Sequence, residues 1–362
     1  MAMNDPVRRC ARLLLWATLA VPWIANAAWY RGNTHAHTIN SDGDAAPDTV
    51  ARWYREHGYQ FLFITDHEYI TDPAPLNAIL GASERFLLLP GQEVTQWSAN
   101  PLHDAAHVNN LFATQVVWPM GTPTCLGSGC GATADATVPI SEMFKKNIGA
   151  ILAAKGIPQI NHPNYHWSVK QEDLYEVPDG CLLEVWNGIG DINNLGGTDD
   201  NGDLRPSAES LWDILLSRGK VIWAVASDDS HEYGASASAR GALPGQAWIM
   251  VHAAELNSKS IEAALRHGDF YASTGVSLSD ITASSKELSF NIVEEKHGAS
   301  RFMTRFVGQD GKLLAEVSGI HPAYGIKGNE RYVRAVIIDS NGNRAWTQPV
   351  FLDRRASFVL PR

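Results

Sequence analysis

The chain has 362 residues, of which 45% are hydrophobic and 19% charged, and its formal net charge is −10. That length suits one large domain or a large one with a smaller companion, and the composition excludes wholesale disorder. The acidic balance is the reverse of what an electrostatic nucleic-acid surface needs, and beyond the N-terminus no apolar run approaches the roughly 18 residues of a membrane span.

Arg8, Arg9 and Arg12 precede the apolar stretch Leu13 to Ile24, and Ala25-Asn26-Ala27 follows with small residues suited to cleavage. This is the layout of a secretory signal peptide over residues 1–27. The stretch is short and contains Pro22, which speaks against a retained anchor helix. The segment holds three Arg and one Asp, so its removal takes the net charge from −10 to −12. A periplasmic or secreted protein is expected, with no stable membrane insertion after cleavage. Cys125 and Cys130 bracket a four-residue loop that an oxidising compartment would close as a small disulfide ring. Cys181 opens an apolar run and reads as a buried thiol.

In chain order, Phe61 to Thr65, Phe86 to Leu89, Val108 to Phe112, Ile157 to Ile160, Cys181 to Trp186 and Val221 to Ala226 read as buried strands. Between them lie helical patterns over Pro47–Gly58, Ser141–Lys155 and Ser207–Arg218, with a shorter one over Ile261–His267. Continuous apolar strands alternating with helices predict a parallel sheet covered by helices, open or closed into a barrel. Gly196–Asp203 reads as a solvated loop, since its carboxylate spacing fits no EF-hand. After about Gly275 the pattern turns to short alternating runs such as Leu288 to Val293, Tyr332 to Ile338 and Ser357 to Leu360. Turns at Gln309-Asp310-Gly311 and Asn341-Gly342-Asn343 punctuate them. A small antiparallel β domain over 276–362 is expected, behind a main domain over 28–275.

Histidines and carboxylates collect at the ends of these strands. They are His35 and His37 with Asp42 close behind, Asp66-His67-Glu68, Glu93, His107, His162, and Asp228-Asp229 with His231. In parallel α/β folds that edge is where sites are built. Residues two apart on an extended strand end face the same way, so His35 and His37 suit one ion, and Asp229 and His231 repeat the spacing. Imidazole and carboxylate without thiolate suit Zn2+, Mn2+ or Fe2+. So many ligands imply more than one ion, with a carboxylate such as Glu93 bridging two and water between them turned into hydroxide. No Gly-x-Ser-x-Gly elbow offers a serine alternative. Glu184 and Asn187 end a strand and can stand near the metals, and Ser273 and Thr274 can line the rim.

Taken together, His35-x-His37-Thr38 with Ser41-Asp42-Gly43, Ile64-Thr65-Asp66-His67, Gly91-x-Glu93, His107, Asn161-His162-Pro163 and Asp229-x-His231 resemble the PHP (polymerase and histidinol phosphatase) metal-dependent hydrolases over roughly residues 29–275. The segments Trp212 to Gly219 and Phe270 to Gly275 look like the branch that includes a carbaryl-hydrolysing enzyme. The resemblance implies a distorted (β/α)7 TIM-like barrel with two or three divalent ions at the C-terminal strand ends. One ion would be held by His35, His37, Glu93 and Asp229. A second would share Glu93 and add His107 and His162, and a third would use Asp42, His67 and His231. Either Asp228 or Asp229 is the ligand, with the D-x-H spacing favouring Asp229. Asp66, Glu68, Glu184 and Asp228 are expected to orient the ligands.

These readings predict a metal-dependent hydrolase of small-molecule esters, with Glu93, Asp229 and His231 at the reacting centre. A phosphoesterase is the first expectation, with Asn164, His166 and Arg240 meeting substrate phosphate. A carboxyl- or carbamate-ester hydrolase using the same metals is the second, with Trp97, Trp118, Trp167 or Trp186 lining an apolar pocket. A non-catalytic metal-binding scaffold is the third, and the full ligand set argues against it.

Overall fold

The computed structural model describes residues 27–81, 85–99, 105–126, 129–234, 241–294 and 298–352. Most of the expected signal peptide, up to Asn26, together with Arg240 and the strand expected at Ser357 to Leu360, lies outside these residues.

Strands β1 (Ala28–Asn33), β2 (Phe61–Ile64), β3 (Leu87–Trp97) and β4 (Ala105–Leu111) come first. They are followed by β5 (Thr122–Leu126), β6 (Gly129–Thr133), β7 (Ile157–Ile160), β8 (Leu182–Asn187), β9 (Gly197–Thr198), β10 (Leu204–Arg205) and β11 (Trp223–Ser227). Next are β12 (Trp248–Ala253), β13 (Phe270–Ser273), β14 (Ser277–Ala283), β15 (Glu287–Val293), β16 (Phe302–Gly308) and β17 (Lys312–Ser318). The last are β18 (Ala323–Gly325), β19 (Tyr332–Asp339), β20 (Arg344–Thr347) and β21 (Val350–Phe351). The α-helices are α1 (Pro47–Glu56), α2 (Pro73–Leu80), α3 (Ile140–Ala153), α4 (Ala208–Ser217) and α5 (Ser258–His267).

The fold is mixed α/β. Strands β1, β2 and β3 pair in parallel, as do β7, β8 and β11. Strand β4 lies between the two groups and runs antiparallel to both neighbours, which corrects the expectation of a wholly parallel sheet. The reason is the connection. Only seven residues separate β3 from β4, whereas a parallel crossover needs about a dozen or more. The reversal puts His107 near the start of β4, opposite Thr95, at the same edge as the ends of the parallel strands.

No closed sheet is present among the described residues. Strand β1 gives its outer edge to antiparallel β12, which leads the sheet on through β13, β20, β19 and β16 to β17. Strand β11 and the segment after β1 therefore meet only in one isolated parallel bridge, between Ala36 and Ser230. Strands β14, β15 and β18 form a separate antiparallel sheet. Gly196–Asp203 is drawn together by its own bonds: Asp199 accepts from the Asn201 and Asp203 amides and pairs with Arg205. Cys125 and Cys130 face each other across the β5–β6 hairpin and form the expected disulfide, while Cys181 is a buried free thiol.

The core explains the strand assignments. Phe61, Leu62, Phe63 and Ile64 are all at most 1% exposed, and burying such a side chain contributes about 1.5–3 kcal/mol. Helix α1 begins with Pro47, where the missing N–H costs nothing, and buries Val50, Ala51 and Tyr54. A buried ionic joint ties α4 to β19. Arg334 makes a forked pair with Asp213, 2.7 Å from Nε and 2.5 Å from Nη2, and reaches Glu209 at 2.9 Å. Tyr332 donates to the same Asp213 carboxylate. Asp213→Ala would leave the Arg334 guanidinium buried without its main partner. We expect a loss of about 3–5 kcal/mol of stability in urea unfolding, against less than about 1 kcal/mol for an exposed pair such as Arg305–Glu316.

Candidate metal centre

The segment after β1 delivers the first ligands. Ala36 bridges Ser230, and its amide donates to Thr65 Oγ1, so the chain stays extended and both flanking imidazoles enter the same buried space. Asp66 organises the next turn. It accepts from the Thr38 amide at 2.7 Å and from the hydroxyls of Thr38, Ser41 and Thr71 at 2.9 Å each. Gly43 lets that turn fold back, because a Cβ there would stand 2.7 Å from the His37 carbonyl. The turn thereby carries Asp42 to His37.

All nine residues expected as ligands converge. Glu93 Oε2 lies 3.3 Å from Nε2 of His35, Nε2 of His37 and Nδ1 of His67. Its Oε1 faces the other way, 3.1 Å from His107 Nδ1 and 3.4 Å from His162 Nε2. Asp229 Oδ1 is 3.3 Å from His35 Nε2 and 3.2 Å from His37 Nε2, and its Oδ2 turns to His162 at 3.9 Å. Asp42 Oδ1 is 3.3 Å from His231 Nε2, and its Oδ2 is 3.5 Å from His67 Nε2. Three sets of ligand atoms each fit within 4.8 Å: His35, His37 and Asp229; Glu93, His107 and His162; and His37, Asp42, His67 and His231. His37 thus belongs to two sets, beyond the single role expected for it.

These residues fit divalent ions. Metal bonds of about 2.1 Å at angles of about 90–110° place neighbouring donor atoms about 3.0–3.4 Å apart. The observed spacings fall close to this range and exceed the roughly 2.7–2.9 Å of a charge-assisted hydrogen bond. His37 Nε2 and both ring nitrogens of His107 are buried without a hydrogen-bond partner, a costly state that a cation would relieve. His162 and Asp229 hold φ values of 26° and 50°, so two of the candidate ligand positions are strained.

A supporting shell fixes the rings. Glu184 accepts from His35 Nδ1 at 2.8 Å, leaving Nε2 to face the carboxylates, and also takes the His162 amide, Asn187 and Ser227. Asn187 donates to Asp229 Oδ2 as well. Asn161, which the sequence did not single out as a site residue, donates to Glu93 Oε1 at 2.9 Å. His231 Nδ1 contacts the Asp229 carbonyl, so its Nε2 points inward. Asp228 is turned away: it accepts from Tyr54 and the amides of Gly245, Gln246 and Ala247. Of the two neighbouring aspartates, Asp229 is the one in the cluster. Glu68 accepts the Thr95 amide, and Thr95 Oγ1 contacts His67 Nδ1.

The electrostatics follow from burial and pairing. Burial opposes charge on His37, but Asp229 and Glu93 outweigh it and push the ring up to about 10. Burial likewise opposes charge on His35, and Asp229, Glu93 and Glu184 raise it well above the ordinary value. His107 is the reverse, since burial prevails and pulls it down to about 4. Burial pushes Glu68 up to about 9 and Asp228 up to about 6. Glu93 and Asp229 are held well below the usual carboxylate range against burial, His35 being the foremost cause for each.

The cluster opens into a cavity of about 170 Å³ walled by Trp97, Tyr165, Ile189 and Ile192. Of the expected phosphate-binding residues, the two that are described, Asn164 and His166, do not line it. Asn164 spends its amide on the carbonyls of Asn193 and Pro206, which fixes two loops, and the His166 side chain is exposed. Ser273 bonds to Val276 and Thr274 to Arg344, and neither lines this cavity. Of the candidate aromatic residues only Trp97 lines the cavity, and Trp118 is 61% exposed.

No protein-family profile and no curated protein matches the chain. Solved structures show similarity. One is a two-domain protein from Bacteroides vulgatus containing a predicted PHP-like metal-dependent phosphoesterase, 14% identical over 95% of this chain and 100% of that one, with a TM-score of 0.46. Another is an amidohydrolase from Chromobacterium violaceum with bound sulfate and no metal, 14% identical over 56% of this chain and 88% of that one, with a TM-score of 0.34. Both scores lie below 0.5, so the functional reading rests on the chain's own residues.

With His35, His37 and His162 all raised by their carboxylates, the metal-free protein carries protons that cations must displace. Zn2+ titration at pH 7 should release two or three protons per chain, measured by calorimetry in buffers of different ionisation enthalpy, and affinity should keep rising past pH 8 toward the His37 value of about 10. Uptake without proton release would contradict these charge states. Glu184→Ala should weaken metal affinity about 10–100-fold while the protein stays folded.

Proposed function

We propose that this chain is an exported, PHP-type metal-dependent hydrolase that cleaves the phosphate ester of a small molecule. The observation that carries the reading is the placement of Glu93 and Asp229, each with its two oxygens turned to different sets of imidazoles. Carboxylates so placed suit two or three ions, of which Zn2+, Mn2+ and Fe2+ fit the donors. Three carboxylates, Asp42, Glu93 and Asp229, offset only half the charge of three divalent ions. The remaining positive charge matches a phosphate ester, and a cavity of about 170 Å³ admits a reacting group rather than a polymer. The Cys125–Cys130 disulfide supports an oxidising compartment, in keeping with the export segment.

When bound, the ions would supply Lewis acidity toward an ester oxygen and lower the pKa of a water. The protein's part is positioning. Glu93 and Asp229 hold the sets in register, and Glu184 and Asn187 keep the His35 ring and the Asp229 carboxylate from rotating. His231 and His67 present Nε2 beside Asp42 at the open side, within reach of a substrate. Trp97, Tyr165, Ile189 and Ile192 limit the water in the cavity.

The same apolar wall favours a second reading, hydrolysis of a carboxyl or carbamate ester with an apolar acyl group. The two separate in one assay. Residues 28–362, loaded with Zn2+ or Mn2+, should hydrolyse p-nitrophenyl phosphate or bis-p-nitrophenyl phosphate, and the His35→Ala, His37→Ala double variant should lose about 10³-fold or more. Turnover of a p-nitrophenyl carboxylate ester alone would move the assignment to an esterase. No metal-dependent turnover of any of them would end the hydrolase reading.

A further inference from the structure

A second cleft adjoins the metal cavity. It measures about 490 Å³, and Ile189 and Ile192 line both spaces. Its other walls include Trp186, Asn193, Gln246, Asn341 and Asn343. Nearly a fifth of the chain is charged, at 19%, yet no ionisable side chain among the described residues lines this cleft. The cleft is built where the segment after β8 meets the turn between β19 and β20.

Its amides divide into two kinds. The Asn194 side chain accepts from the Asn187 amide and donates to the Asn187 carbonyl, which fixes the segment, and Asn343 donates to Asp339. Asn193 and Gln246 anchor themselves by backbone only: the Asn193 carbonyl accepts from Asn164, and the Gln246 amide donates to Asp228. Among the described residues their side-chain amides have no hydrogen-bond partner, and both residues line the cleft. Each such amide offers a carbonyl acceptor and two N–H donors, which is what neighbouring hydroxyl groups need. Trp186, held 6.0 Å from Trp346, adds an amphipathic aromatic surface.

Size supports a joint role. Small-ligand sites run to about 300–1,000 Å³. At about 170 Å³ the metal cavity holds the reacting group alone, so the rest of a substrate must lie outside it, and the cleft beyond Ile189 and Ile192 has the room. We propose that this cleft seats the neutral, hydroxyl-bearing ring of the substrate, a sugar or cyclic polyol whose ester reaches the metals. Its part as a substrate subsite rests on the hydrolase reading, whereas its capacity to bind the ring does not.

The test is saturation-transfer NMR on residues 28–362 with methyl α-D-glucopyranoside, methyl β-D-ribofuranoside and myo-inositol, with and without a metal chelator. At least one probe should receive saturation in both conditions, and the Asn193→Ala, Gln246→Ala double variant should weaken it about tenfold with its melting temperature kept. Transfer to none of the three at about 20 mM overturns the inference. So does transfer at full strength in the double variant, which would place the sugar elsewhere. Phosphate-ester turnover without sugar binding would leave the hydrolase reading standing and end this one. Sugar binding without turnover of any ester would keep the cleft and end the hydrolase reading.

Discussion

Three carboxylates and six imidazoles packed into one largely buried volume form the constraint on which the rest of this structure depends. A buried carboxylate is expensive unless paired, and a buried imidazole with no partner is nearly as awkward. Protons can settle part of the account, as the raised His35 and His37 show. They leave His107 neutral with neither ring nitrogen hydrogen-bonded, and they leave donor atoms spaced more widely than hydrogen bonds require. Divalent cations would satisfy all of these groups at once, which is why the geometry reads as a candidate metal centre rather than a salt-bridge cluster.

The fold exists to bring those groups to one edge. Parallel strands β1, β2, β7 and β11 present their candidate ligands just past their ends, β8 supplies Glu184 and Asn187 behind them, and β3 is long enough to carry Glu93 beyond the end of β2. The reversed β4 adds His107 from its beginning. A second tier holds the first in place: Asp66 shapes the Asp42 turn, Glu184 joins His35 to His162, and Asp228 pins the backbone at 245–247. Three more acids are thus committed to holding, none of them in the ligand sets.

Much of this was legible in the sequence. Apolar runs marked the strands because burial on both faces leaves little room for polar residues. His35-x-His37 and Asp229-x-His231 were readable because alternation along an extended chain is strict. The direction of β4 was readable in principle from its short connection to β3. Sheet closure was not, because the competition between β11 and β12 for the edge of β1 is decided by pairing between residues about 200 apart. The cavity wall was equally hidden: Ile189 and Ile192 have the chemistry of core residues, and only the path of the segment after β8 turns them toward the His/Asp/Glu cluster. That Asn164 and His166 do not line the cavity was hidden for the same reason. Nearness to His162 in sequence does not say which way a side chain points, and the turn at 164–167 directs one to backbone carbonyls and the other to solvent.

The central claim is that Glu93 and Asp229 lie between cations. An anomalous-difference map from a crystal of the Zn2+-loaded protein, recorded at the zinc edge, tests it most directly. The account predicts two or three peaks, with each of the two carboxylates in contact with more than one. A map with no peak at these residues, or with a single ion touching only one of the three sets, would contradict it.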